Sequence, residues 1–267
     1  MVVTVALARG QEAIDNGCTE MHIVGGLHHK QKYEWYLNLI RILHNAYPEL
    51  HLKAWTPVEI DWFCRLENKS VQAVLEDMVE AGLGSLPGTA ADILDAEVRP
   101  ILCPDKLSTA EWFEVVEAAH RVGLRSTATI MFGHVERPVH WARHLHRLRA
   151  LQDETGGFTE FVPLPFVGQE APMHLRGLSR AGPTAREAVL MHAVARLVLH
   201  PLIPNVQVSW VKLGPHAVRA ISRTAQIAIT IARHTAPAHS RSRLSTNFPF
   251  SLASAATRYP VQLARTV

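Results

Sequence analysis

From Met1 to Gly214 the chain alternates short apolar runs with longer amphipathic stretches, and no two apolar runs lie close enough for a hairpin. That pattern excludes most folds. Strands that cannot meet through hairpins pair in parallel, and parallel neighbours need a crossover, usually a helix. The runs are "EMHIVGG", "LHLKAW", "GSLPG", "LRSTATIMFG", "GGFTEFVPLPF" and "NVQVSW". Between them, "KYEWYLNLIRILHNAYP" places Tyr36, Leu39, Ile40 and Leu43 on one helical stripe. Thr56, Pro57 and Glu59 spell a capping box with proline at the first helical position. Gly17 and Gly82 stand where helices end. The expected fold is α/β: an incomplete TIM-type (β/α) barrel of about six parallel strands with helices outside. No strand is followed by GxGxxG, which argues against a dinucleotide fold.

A chain of 267 residues, 48% hydrophobic and 19% charged, can bury a substantial core. No apolar run is long enough for a membrane span, and the N-terminus lacks the pattern of a signal peptide, so a cytoplasmic protein is expected. Cys18, Cys64 and Cys103 are far apart and odd in number, which argues against disulfides and against a CxxC site. Charge is unevenly distributed. Residues 215–267 hold seven arginines and no acid, so the formal net charge of +3 hides a basic tail on an acidic body. The expected organisation is a partial barrel over 1–214 and an atypical Ala/Ser/Arg-rich tail over 215–267, read as frameshifted or disordered. A nucleic-acid-binding arm is the weaker reading of that tail.

"GGFTEFVPLPF" carries Glu160 within an apolar strand. On an alternating strand Phe158, Glu160 and Val162 share one face, and an unpartnered buried carboxylate would cost roughly several kcal/mol. A ligand cavity on that face removes the problem. Barrel chemistry sits at the C-terminal ends of strands. There the sequence offers Gly25, Gly26 and His28, then Glu59, Thr89, His134, Glu136 and Glu160, and finally Ser209 and Lys212. Glycines let backbone approach a ligand, and the His, Glu and Lys side chains can donate, accept or titrate. Glu59 and Glu136 are equally well explained as helix-start residues. His140, His144 and His146 have metal-like spacing, but four arginines share their helix, so a solvated basic face is expected and no metal ligand is assigned. Trp35, Trp55, Trp62, Trp112 and Trp141 fall mostly at helix-stripe spacing and are expected in the core.

The segment from "PGTAADILDAEV" through "CPDKLSTAEWFEVVEAAHRVGLRSTATIMFGHVERPVHWARHLHRLRALQDETGGFTEFVPLPFV" to "VQVSWVKLG" resembles FO synthase, a radical SAM family of deazaflavin coenzyme biosynthesis. The likeness is to the half, or separate subunit, that joins tyrosine to a ribityl-aminouracil. "TGGFTEFVPLPF" and "SWVKLG" are its most specific parts. "MHIVGGLHHKQKYEWYLNLIRILHNAYPELHLKAWTPVEIDWF" looks more like aminofutalosine synthase, a relative in menaquinone biosynthesis.

The resemblance implies a transferase in which a four-iron four-sulfur cluster, held by three cysteines, cleaves S-adenosylmethionine. The deoxyadenosyl radical then abstracts hydrogen from tyrosine, whose side-chain fragment adds to the pyrimidine. It implies that Gly25, Gly26, Thr89 and Thr129 bind S-adenosylmethionine, and that His134 and Glu160 are catalytic. His28, Glu59, Glu136, Ser209 and Lys212 would face the substrates, and a second FO synthase subunit is an expected partner. The chain departs from the pattern in four places. The family's Cx3Cx2C strand is expected before the first helix seen here, and the three cysteines present do not replace it. His29 stands where relatives have proline and Asp92 where they have glutamate, while "PHAVRAISRTAQ" follows Gly214 in place of a glycine-rich last strand. A catalytically inactive barrel fragment is therefore the alternative to an active transferase.

Overall fold

The computed structural model describes residues 2–209 and 211–221. Five strands form one all-parallel sheet in chain order: β1 (Glu20–Ile23), β2 (His51–Ala54), β3 (Ser85–Leu86), β4 (Arg125–Phe132) and β5 (Phe158–Pro165). The helices are α1 (Val2–Asp15), α2 (Tyr33–Ala46), α3 (Pro57–Glu67), α4 (Val71–Glu80), the short α5 (Arg99–Leu102), α6 (Thr109–Arg121), α7 (Pro138–Thr155), the short α8 (Pro172–Leu175) and α9 (Ala185–Leu199). Residues 211–221 are also helical. None of the described helices is long and apolar enough to cross a membrane. The rest of the tail, 222–267, lies outside the described residues, and with it most of the expectation for 215–267.

Three of the helices start on reciprocal capping boxes. Thr56 accepts from the Glu59 N–H while Glu59 accepts from the Thr56 N–H, and the same reciprocal box opens α6 at Ser108/Glu111 and α9 at Thr184/Glu187. Strand residues alternate between two faces. Leu52, Ala54, Leu86, Ala128, Ile130, Phe132 and Phe161 are all buried, and they point at the helical layer. An aromatic cluster of Tyr33, Tyr36, Trp55 and Phe63, with ring centroids 4.5–5.8 Å apart, fills the space under α2 and α3. Each such buried ring contributes about 1.5–3 kcal/mol. Trp112 and Trp141 are core residues as expected. The opposite, concave face carries Glu20, Lys53, Thr127, Thr129 and Glu160. Lys53 of β2 lies within 3.9 Å of Glu160 of β5, three strands away, so the sheet is curled into part of a barrel.

Two features depart from the sequence expectation. First, β4 and β5 slip by one residue: Ser126 pairs with Phe158, but Thr127 pairs with Glu160. Thr159 is the extra residue and is exposed, as at a β-bulge. The bulge puts Phe158 on the helix side, edge-on to His120 of α6 at 4.9 Å, instead of on the face of Glu160. Second, the sixth strand reduces to one parallel bridge between Phe161 and Val206. The cause is in β5 itself. Phe166 donates inward to Phe132, and Phe161 bonds outward to 205–207, so Pro163 and Pro165 share the outward phase. Neither has an N–H to offer, and the ladder stops.

Candidate functional site

The C-terminal strand ends form a rim, and one part of it joins β1 to α3. The Glu59 side chain is buried by its place in the first turn of α3. Its Oε1 accepts from the N–H groups of Gly25 (2.8 Å) and Gly26 (2.9 Å), and its Oε2 from Thr56 (2.7 Å). Glu59 therefore clamps the glycine turn and is not a free substrate ligand. Gly25, Gly26 and His28 are exposed on that turn, and His28 stacks on His29 with centroids 5.6 Å apart. Gly26 has φ +71°, and a Cβ there would meet nothing within 4 Å, so the rim is open above it. Trp55, at the end of β2, holds the left-handed φ of 61°, an uncommon conformation for a bulky residue.

The next sector is built on Gly88. Thr127 Oγ1 accepts from the Gly88 N–H (2.8 Å) and Thr129 Oγ1 donates to its carbonyl (2.6 Å). Thr129 is thereby committed to the backbone. Thr89 is not: its hydroxyl oxygen is buried without a hydrogen-bond partner.

After β4, His134 and Glu136 turn inward. His134 Nε2 bonds the Met131 carbonyl (3.0 Å), and its Nδ1 accepts from the Val135 N–H (2.8 Å). Glu136 receives the N–H groups of Gly133 (2.5 Å) and His134 (2.8 Å) and the Trp141 indole N–H (3.1 Å). Arg180 adds a weaker contact at 3.4 Å. Both side chains are fully buried, so neither faces an open cavity, contrary to the sequence expectation. The reason is local: the loop after β4 must satisfy its own N–H groups, and these two side chains do it.

Glu160 lies on the concave face as expected, but not at a strand end. It is the third of eight residues in β5 and pairs with the third residue of β4. Gln207 donates to its Oε2, and Lys53 Nζ stands 3.9 Å from its Oε1. Lys53 also bonds Glu20 at 2.8 Å. The carbonyl of Ser209 accepts from the N–H groups of Lys212 and Leu213, which starts the last helix. Lys212 Nζ reaches the Pro165 carbonyl at 3.3 Å. Sequence reasoning missed Lys53 and Gln207. The signal was present: a lysine alternating with Leu52 and Ala54 inside a core strand is the same anomaly as Glu160.

The residues present do not fit an iron–sulfur cluster. Cys18 precedes β1, Cys64 lies in α3 and Cys103 caps α5. Burial pushes the Cys64 thiol up to about 11, and Cys103 is raised for the same reason, which is opposite to what a thiolate ligand needs. Among the described residues, the group of ligating side chains with donor atoms within 4.8 Å of one another is Asp95, Glu97 and His140. Its charges are already met by Arg143 and Arg147, and the Arg137 N–H occupies His140 Nδ1. His140 and His144 are buried, which corrects the expected solvated face; His144 packs on Phe161 of β5.

No family model matches the chain. Over 206 residues it is 46% identical to the 5-amino-6-(D-ribitylamino)uracil–L-tyrosine 4-hydroxyphenyl transferase of Methanopyrus kandleri, covering 77% of this chain and 56% of that protein. It is 47% identical over 213 residues to the FO synthase of Nocardia farcinica, covering 80% of this chain and 25% of that protein. The chain thus spans about half the length of the transferase and a quarter of the FO synthase. Among solved structures, methylornithine synthase matches with a TM-score of 0.61 at 13% identity, covering 82% of this chain and 59% of that one. Elp3 of Methanocaldococcus infernus matches at 0.56 and 14%, covering 82% and 58%. These likenesses show the fold, a curled parallel half-barrel backed by helices.

Proposed function

We propose that this homologue of FO synthase forms the substrate-holding wall of a transferase barrel. The reaction served joins the 4-hydroxybenzyl group of tyrosine to 5-amino-6-(D-ribitylamino)uracil. The observation that carries this reading is the 46–47% identity to FO synthases and their separate transferase counterparts across about four-fifths of the chain.

The rim fits S-adenosylmethionine as a ligand. The exposed Gly25–Gly26 turn leaves room for close backbone approach, and the orphaned Thr89 hydroxyl has a hydrogen bond to give. When bound, S-adenosylmethionine would supply the hydrogen-abstracting chemistry of the family. Glu59 keeps the glycine turn in place, while Thr127 and Thr129 hold Gly88 beside Thr89. Glu136 and His134 fix the loop after β4, so their part is positioning. The cluster that the cleavage needs is not made by Cys18, Cys64 and Cys103. No step is therefore assigned to those residues.

Calorimetric titration of the chain with ribitylaminouracil, tyrosine and S-adenosylmethionine tests the reading. Saturable binding of ribitylaminouracil and tyrosine is the expected result. Binding of an enolpyruvyl benzoate in their place would move the chain to aminofutalosine synthase, and binding of none would remove the substrate-holding role.

A further inference from the structure

We propose that Lys53 and Glu160 form a donor–acceptor pair that recognises a hydroxyl of a polyol chain on the concave face, the ribityl group of the pyrimidine substrate. This rests on the function proposed above.

The pair is held apart from both sides. Lys53 is drawn toward Glu20 of β1 at 2.8 Å, and Glu160 toward Gln207 beyond β5. What remains between Nζ and Oε1 is 3.9 Å, too long for a direct hydrogen bond. One oxygen atom about 2.8 Å from each, seated to the side of the line that joins them, would bridge the two groups. A hydroxyl suits it because it can accept from the ammonium and donate to the carboxylate together; a carbonyl or a methyl group cannot.

Charge narrows the choice further. Two carboxylates face one ammonium, so the cluster keeps a negative charge and disfavours an anionic group. A ligand ammonium would compete with Lys53 for both of its partners. A neutral hydroxyl meets neither objection. His22 stands beside Lys53 in the β1–β2 register and is exposed, and Gln207 is exposed on the other side. The row from β1 to the bridge at Val206 thus offers polar contacts for neighbouring hydroxyls. Farther along the strands the same face turns apolar at Met131, Val162 and Leu164, all only partly buried, which suits the flat pyrimidine ring.

The test compares ribitylaminouracil with 5,6-diaminouracil, which has the ring but no polyol, by calorimetry on the whole chain. The wild type is expected to favour the ribityl compound. Lys53→Met and Glu160→Gln should each weaken it about tenfold while leaving diaminouracil binding unchanged. Glu160→Gln, nearly isosteric, carries the comparison should Lys53→Met fail to fold. Equal binding of both pyrimidines by the wild type, or equal weakening of both by the variants, would overturn the pair's role and leave the transferase reading standing. Binding of free ribitol without either pyrimidine would uphold the pair and sink the transferase reading. Binding of none of the three would overturn both.

Discussion

Nδ1 of His134 lies 3.0 Å from Oε2 of Glu136, with both side chains wholly removed from solvent. Burial alone would raise the Glu136 carboxyl. The backbone N–H groups of Gly133 and His134, both donated to the carboxylate, outweigh it and hold the group at about 2. The folded value lies below the unfolded one of 4.5, so the stability it supplies is present above that value and is lost as pH falls toward 2. Glu136→Gln should cost about 3 kcal/mol at neutral pH by urea denaturation, and should flatten the loss of stability between pH 5 and 2.

His120 should give a second, higher acid transition. Burial first, and then the charge of Arg125, lower it from 6.5 to about 4. The neutral ring bridges Thr155 and Ser126, each at 2.7 Å. The unfolded chain binds a proton that the folded chain refuses between these values, so stability declines as pH drops from 6.5 through 4. His120→Gln is expected to remove that slope from a series of melts at stepped pH, at some cost in stability at neutral pH.

Two glycines of the rim should respond in opposite degree. A Cβ on Gly88 would lie 1.8 Å from the Thr127 carbonyl oxygen, a backbone atom that cannot step aside. Gly88→Ala should therefore destabilise by about 3 kcal/mol or more, or prevent folding. Gly26→Ala meets no atom and carries only the strain of its positive φ, about 1–2 kcal/mol. Denaturation midpoints of the two variants check the contrast.

Reconstitution of the chain with iron and sulfide under anaerobic conditions should yield no bound cluster, because Cys18, Cys64 and Cys103 sit on separate elements with two of the thiols raised by burial. Visible absorbance that survives desalting, and that Cys64→Ala abolishes, would contradict the placement of these residues.

Much of the fold was legible in advance from particular residues. Thr56–Pro57–Glu59 started α3 where expected, and Gly17 took a left-handed φ at the end of α1. The five sheet strands lie within the runs that the apolar pattern marked. The loss of the sixth was written in "FVPLPF", where two prolines share one phase of the strand; reading it needed only the hydrogen-bond direction of each residue. The bulge at Thr159 had no such signal, because it depends on how β4 and β5 twist past one another.

What the amino-acid order determined by itself was local and periodic: helix caps, strand direction, parallel pairing, and the end of the sheet where polar residues gather. Only the tertiary structure decided what each carboxylate does. Glu59, Glu136 and Glu160 look alike as residues, and all three were candidates to meet a ligand. Glu59 is consumed by two amides 33 and 34 residues away, and Glu136 by a loop and an indole, while Glu160 faces a lysine three strands across the concave face. A carboxylate takes its role from the donors within about 3 Å, and folding alone chooses those neighbours.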